Sequence, residues 1–142
     1  MEKGIIKNVI DFTEKGNFMR FDTSVKNYLQ KITKQKTVTI IETINPLSVL
    51  KIKSYKIRDH INLSGFNPLN GPIFIPLNNL YTTKDGILIV GLREGVHPTN
   101  KEKRILEKLG VKAYCYNLVQ TAIFAASLGL KINAIGSVKP HQ

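Results

Sequence analysis

The chain has 142 residues, which fits one domain with a modest core. Its 21 Lys and Arg against 10 Asp and Glu give a net charge of +11 and a pI near 9.8. No apolar run approaches the roughly 18–20 residues needed to span a bilayer, and the single cysteine excludes both an internal disulfide and a cysteine-rich zinc site. The opening MEKGIIKNVIDF lacks the apolar core of a signal peptide and the acid-poor, arginine-rich look of a transit peptide. A reducing intracellular compartment is expected, with cytoplasm and an organelle such as the mitochondrion both open. The charge predicts attraction to polyanions, nucleic acid first and anionic membrane second, although a plainly basic soluble protein has the same balance. The excess is uneven: residues 1–58 hold 12 Lys and Arg against 5 Asp and Glu, and residues 59–142 hold 9 against 5.

Residues 4–12 read as a strand, and Gly16-Asn17 as a turn. Asp22 or Thr23 caps a helix running to about Lys34, with Val25, Tyr28, Leu29 and Ile32 as its apolar stripe. Thr37–Ile44 is a β-branched run and is expected to be a central strand. In Lys51–Ile57 strict alternation places Lys51, Lys53 and Tyr55 on one strand face. Two cations beside an aromatic suit phosphate contact with base stacking, and an edge strand kept soluble by lysine is the competing reading. Lys31, Lys34 and Lys36 join them as candidate RNA or phosphate contacts, against the alternative of a solvated face.

Ile57–Pro72, IRDHINLSGFNPLNGP, closes a strand-like run with Arg58–Asn62 and then turns through Asn67-Pro68-Leu69 and Asn70-Gly71-Pro72; it reads as a specified loop with Asp59, His60, Asn62 and Asn67 as its fixing residues. Asp85-Gly86 turns into the strand Ile87–Leu92. Pro98 opens a helix over Thr99–Leu109 with Ile105, Leu106 and Leu109 apolar, and Gly110 stops it. Val111–Tyr116 is the next strand, with Cys115 as a buried inert thiol in its apolar run. Asn117 then caps a helix with Val119, Ala122, Ile123 and Ala126 inward, and Lys131–Val138 is the last strand. This strand–helix–strand–helix–strand order implies parallel pairing. The fold class is α/β: a mixed, largely parallel sheet with flanking helices in a single domain.

The DHIN run followed by Asn67-Pro68-Leu69 and Gly71-Pro72 resembles a loop of the trimeric purine nucleoside phosphorylase family. From Gly86 to Val138 the chain is again similar to that family, through Leu106-Glu107-Lys108-Leu109-Gly110, Ala113, Val119, Ile123, Ala125 and Gly129-Leu130. The best match thus covers residues 59–138, and 1–58 is a divergent basic part. The resemblance implies a shortened phosphorylase-like fold and a family chemistry in which phosphate attacks the ribose of a purine nucleoside.

The family's site does not carry over intact. Its small-residue phosphate segment falls on Ile40–Asn45, where Glu42 repels phosphate and β-branched residues block backbone approach. Its purine-gripping glutamate falls at Pro98, the aromatic before it at His97, and its methionine at Tyr116, while Thr99 is kept. These four positions form a degenerate former site, with no catalytic residue assigned. His60, His97 and His141 have no short metal-ligand spacing, so no metal or cofactor is expected. Arg93-Glu94-Gly95 reads as a local ion pair, or as an anion holder at a helix start. The expectation is an inactive phosphorylase-like subunit of a large assembly such as a ribosome, with protein neighbours and RNA as partners. The alternatives are a residual enzyme or nucleoside-binding module, and a scaffold subunit that does not touch RNA. The resemblance does not carry the family's trimer over.

Overall fold

The structure, a computed structural model, describes residues 8–64 and 80–138. Strand β1 (Val9–Asp11) buries Ile10; of the expected strand over residues 4–12, residues 4–7 lie outside the described residues, and Asn8 and Phe12 flank the strand. Its backbone is also paired by a side chain: Asn17 accepts from the Asp11 N–H at 2.8 Å and donates to the Val9 carbonyl at 2.9 Å. Helix α1 (Thr23–Gln30) starts where the Asp22 carboxylate accepts the N–H groups of Ser24 and Val25. It ends four residues before Lys34, closing through i→i−3 bonds from the Lys31 N–H to Tyr28 and from the Ile32 N–H to Leu29; beyond it Gln35 takes a positive φ of 73° and donates its N–H to the Gly129 carbonyl.

Strand β2 (Thr37–Pro46) alternates cleanly, sending Val38, Ile40, Glu42 and Ile44 inward. It organises the molecule because it has three partners. One edge pairs in parallel with β6 (Lys131–Val138) along Thr37–Ile44. The other edge is shared, since Thr39 donates to Asn8 beside β1 while Leu47, beyond the strand on the same parity, donates to Lys112 in β5 (Val111–Cys115). Strand β3 (Ser54–Asn62) and strand β4 (Ile87–Gly91) complete the order β2-β5-β4-β3-β6, and β6 returns to β2.

The result is a closed five-stranded barrel with β1 appended to β2. Pairing is mixed: β1–β2, β2–β6, β3–β4 and β4–β5 run parallel, while β2–β5 and β3–β6 run antiparallel. Four of the six pairings are thus parallel, and the strands close into a mixed barrel. The parallel step holds across α2 (Asn100–Lys108), from β4 to β5, but β6 leaves β5 and inserts between β3 and β2.

Helix α3 (Leu118–Ser127) seals the barrel with Leu118, Val119, Thr121, Ala122 and Ala125 buried. Its approach to β4 needs the missing side chain of Gly91, where a Cβ would meet Val119 at 2.8 Å. Helix α2 packs more lightly than its stripe predicts. Leu106 is buried against Val90, Leu92, Val111 and Tyr114, while Ile105 and Leu109 are 53% and 61% exposed. No helix among the described residues is long and apolar enough to cross a membrane.

Candidate functional site

Between its pairings with β1 and with β5, β2 has a gap in its edge at Glu42–Ile44. The chain ends of β1 and β5 diverge there, and those of β3 and β4 lie beside them. Ligand crevices in α/β folds form at such partings, outside the carboxyl ends of strands. Here a cleft of about 380 Å³ is lined by Arg20 and Phe21 after β1, Ser64 after β3, Arg93 and Glu94 after β4, and Tyr116, Asn117 and Gln120 after β5.

Beneath the cleft floor lies Glu42, bonded to the lining residue Asn117. It is 4% exposed, and its carboxylate accepts the backbone N–H of Leu118 at 2.6 Å, the N–H of Asn117 at 3.0 Å and the Asn117 side-chain amide at 3.1 Å. A helix start leaves backbone N–H groups unsatisfied and favours negative charge. At α3 that charge is internal. Burial pushes the Glu42 carboxyl above the usual carboxylate range, and the N–H groups of Leu118 and Asn117 pull against it. The neighbouring Cys115 thiol is pushed well up, by burial first and by the Glu42 charge second, which suits an inert sulfur.

Asn117 occupies the cap position of α3 without capping it. Its side-chain oxygen accepts the Phe21 N–H at 3.0 Å while its nitrogen serves Glu42, so it ties the β1–α1 loop to the floor. Above it, the Tyr116 hydroxyl donates to the Val96 carbonyl at 3.1 Å and lies 3.4 Å from His97 Nδ1. Burial first, and Tyr114 second, push that phenol up to about 12. His97 also meets the Tyr114 hydroxyl at 3.1 Å, and the three rings pack edge to face.

The four positions of the degenerate site are thus divided. His97 and Tyr116 come together at the cleft wall. Pro98 is buried in a separate apolar groove of about 330 Å³ with Leu63, Leu92, Val96, Glu102, Ile105 and Leu106. Thr99 is taken up by a capping box with Glu102, at 3.1 and 2.8 Å.

The strand-like run over Arg58–Asn62 forms as part of β3, so Asp59, His60 and Asn62 are held in a ladder with Leu88–Gly91, which corrects their assignment as loop-fixing residues. His60 is buried, its Nδ1 2.7 Å from the Tyr81 hydroxyl, and burial pulls it down to about 4 against the opposing charge of Asp59. Asn62 accepts from the Ser64 N–H and hydroxyl at 3.0 and 2.7 Å, which folds the chain so that Ser64 reaches the cleft. Asn67 lies outside the described residues.

The predicted lysine set is not one surface. Residues 51–53 form a bend, so strand alternation does not place Lys51 and Lys53 beside Tyr55. The Tyr55 ring packs against the core, and its hydroxyl accepts the Ile52 N–H at 3.3 Å. Lys53 sits where β6 ends, because its carbonyl accepts the Val138 N–H. Lys36 sits where β6 begins, because its carbonyl accepts the Lys131 N–H. Seven strand steps, about 23 Å, separate the two.

Arg20, Gln120 and the bridging role of Asn117 had no motif to announce them. Arg93 and Glu94 line the cleft and form no ion pair with each other. Neither the Arg20 nor the Arg93 guanidinium has a hydrogen-bond or ion-pair partner among the described residues, although the Arg93 carbonyl accepts the Val96 N–H at 2.9 Å.

No known family model matches the chain, and no curated protein sequence matches it. Solved structures do. The purine nucleoside phosphorylase of Schistosoma mansoni in complex with BCX-34 matches with a TM-score of 0.64 at 20% identity, over 72% of this chain and 50% of that one. The Schistosoma enzyme with guanosine matches with a TM-score of 0.66 at 19% identity, over 75% and 53%. Its complex with hypoxanthine gives 0.64 at 19% identity, over 72% and 49%. The likeness is one of fold, and the chain spans about half the length of these proteins.

Proposed function

We propose that this chain puts a phosphorylase-like fold to structural use: it does not turn over nucleosides and serves as an RNA-associated subunit of a larger assembly with protein neighbours. The assembly lies in a reducing compartment, cytoplasmic or organellar. The observation that carries the first half is Glu42. Phosphorolysis needs a second anion bound beside the sugar, and here a fixed carboxylate takes the helix N–H groups nearest the cleft floor. A phosphate brought to the same donors meets a like charge in a poorly solvated place, which opposes its binding. Pro98 at the purine-gripping position and the engagement of Thr99 in a cap support the same reading. The second half is supported by the net charge of +11.

Incubation with inosine or guanosine and phosphate tests the first half. The expected result is no free base above background; protein-dependent release of hypoxanthine or guanine overturns it. Binding of RNA with a steep salt dependence tests the second half. A nucleoside-binding module is the second reading, favoured by two arginines whose guanidinium groups have no partner among the described residues, at a cleft of about 380 Å³ that Tyr116 also lines. Its measurement is a saturable shift of the melting temperature by guanosine without phosphate.

A further inference from the structure

Two acid-free segments meet at one corner of the barrel. No Asp or Glu occurs from Thr23 to Ile41 or from Lys108 to Val138. The loop after α1 and the turn after α3 are joined there by backbone, Gln35 N–H to Gly129 carbonyl at 3.0 Å and Lys131 N–H to Lys36 carbonyl at 2.9 Å. Lys36 also donates its N–H to Thr33 at 3.1 Å, so the loop is held at three points. Lys31, Lys34, Lys36 and Lys131 are all exposed here, and none of their ammonium groups has a partner among the described residues. The Lys34 stem lies on Gly129, where even a Cβ would meet it at 2.8 Å.

We propose that this corner, where β2 and β6 begin, is the surface on which RNA backbone docks. The inference rests on the RNA-associated reading and narrows it to one face, away from the cleft and from Lys51 and Lys53. Four cations fixed on tied backbone suit the repeating charge of phosphodiesters, and Gln30, Thr33, Gln35 and Thr37 around them are exposed hydrogen-bonding side chains. None of the large exposed apolar side chains, Met19, Val49, Ile52, Leu63, Val96, Ile105 and Leu109, lies in the two segments that form the corner, residues 30–37 and 128–131. A membrane-inserting face needs apolar anchors and a tight protein interface needs buried hot spots, so their absence from these segments favours a nucleic-acid backbone.

The test uses the full chain and a labelled single-stranded RNA of mixed sequence, with affinity followed from 50 to 300 mM KCl. One variant carries Lys31→Gln, Lys34→Gln, Lys36→Gln and Lys131→Gln. A charge-matched control carries Lys51→Gln, Lys53→Gln, Lys84→Gln and Lys101→Gln. Loss of four contacts flattens the log–log salt slope by about 3 and weakens binding about a hundredfold or more, while the control keeps most of the affinity and slope. Equal losses in both variants overturn the docking surface and leave RNA association standing. No RNA binding by the unaltered chain overturns both, as does a preference for phosphatidylserine vesicles over RNA that the four corner lysines govern. Melting curves of both variants establish that the fold is retained.

Discussion

The cleft floor and the lysine corner treat charge in opposite ways. At the floor one carboxylate is buried, and each of its donors is a specified group on α3. At the corner four ammonium groups are exposed and bound to nothing among the described residues, yet the backbone beneath them is pinned. A buried charge acts on stability, because removing it strands its partners. An exposed one acts on partners, because water already satisfies it and surface substitutions shift stability by about 0.5 kcal/mol or less. Under the proposed docking of RNA at the corner, the same fold keeps a structural charge and a recognition charge apart.

The largest expected effect separates the two regions. Glu42→Leu leaves the N–H groups of Asn117 and Leu118 without an acceptor and costs about 4 kcal/mol in denaturant unfolding. The four lysine substitutions at the corner together leave the unfolding midpoint nearly unchanged. Comparable losses at the two places would break the distinction.

Acidity sharpens it next. Burial holds His60 near 4 in the folded chain against about 6.5 unfolded. Its stabilising contribution is therefore full above about 6.5 and is lost as pH falls to about 4, roughly 3 kcal/mol in all. Glu42 has the opposite slope, since its raised folded value makes stability fall as pH rises above the normal glutamate range. In Glu42→Gln the His60 rise between pH 4 and 6.5 stands alone and steepens, and in the corner variant the profile keeps its wild-type shape. Chemical denaturation across that pH range reads both.

A smaller effect links stability to recognition. Gly129 has a φ of +80° and no room for a Cβ beside Lys34. Gly129→Ala is expected to cost about 1–2 kcal/mol and to weaken RNA binding by displacing the Lys34 stem. The smallest effect lies away from both regions: Thr99→Ala removes the capping box of α2 and costs about 1 kcal/mol, with RNA affinity unchanged.

Much of the fold was readable where periodicity is local. The alternation of β2 and the full length of β6 follow from their β-branched runs, and the start of α1 from Asp22. Barrel closure was not readable, because the pairing of β2 with β6 joins residues 94 apart and no local pattern records it. In β3 the register shifts between Ile57 and Asp59, so His60 turns inward where unbroken alternation from Ile57 would send Asp59. The strand-like run was legible there, but the inward turn of His60 was not. At the cleft, Glu42 was legible as an acid on the inward parity of β2, but its partners lie 75 and 76 residues away and carry backbone donors that no side-chain motif marks. Arg20 and Gln120 reach the cleft through the packing of α1 on α3, which sequence order alone does not fix.

Joining β2 to β6 also dictates when the molecule can become itself. The first strand of the ring must wait for the last, so during synthesis its open flank has no partner until Val138 has left the ribosome. Loop closure over such a span is slow compared with helix formation. Between those two moments an apolar, β-branched ribbon stands uncovered, and the chain is expected to need protection from aggregation most urgently at that point in its life.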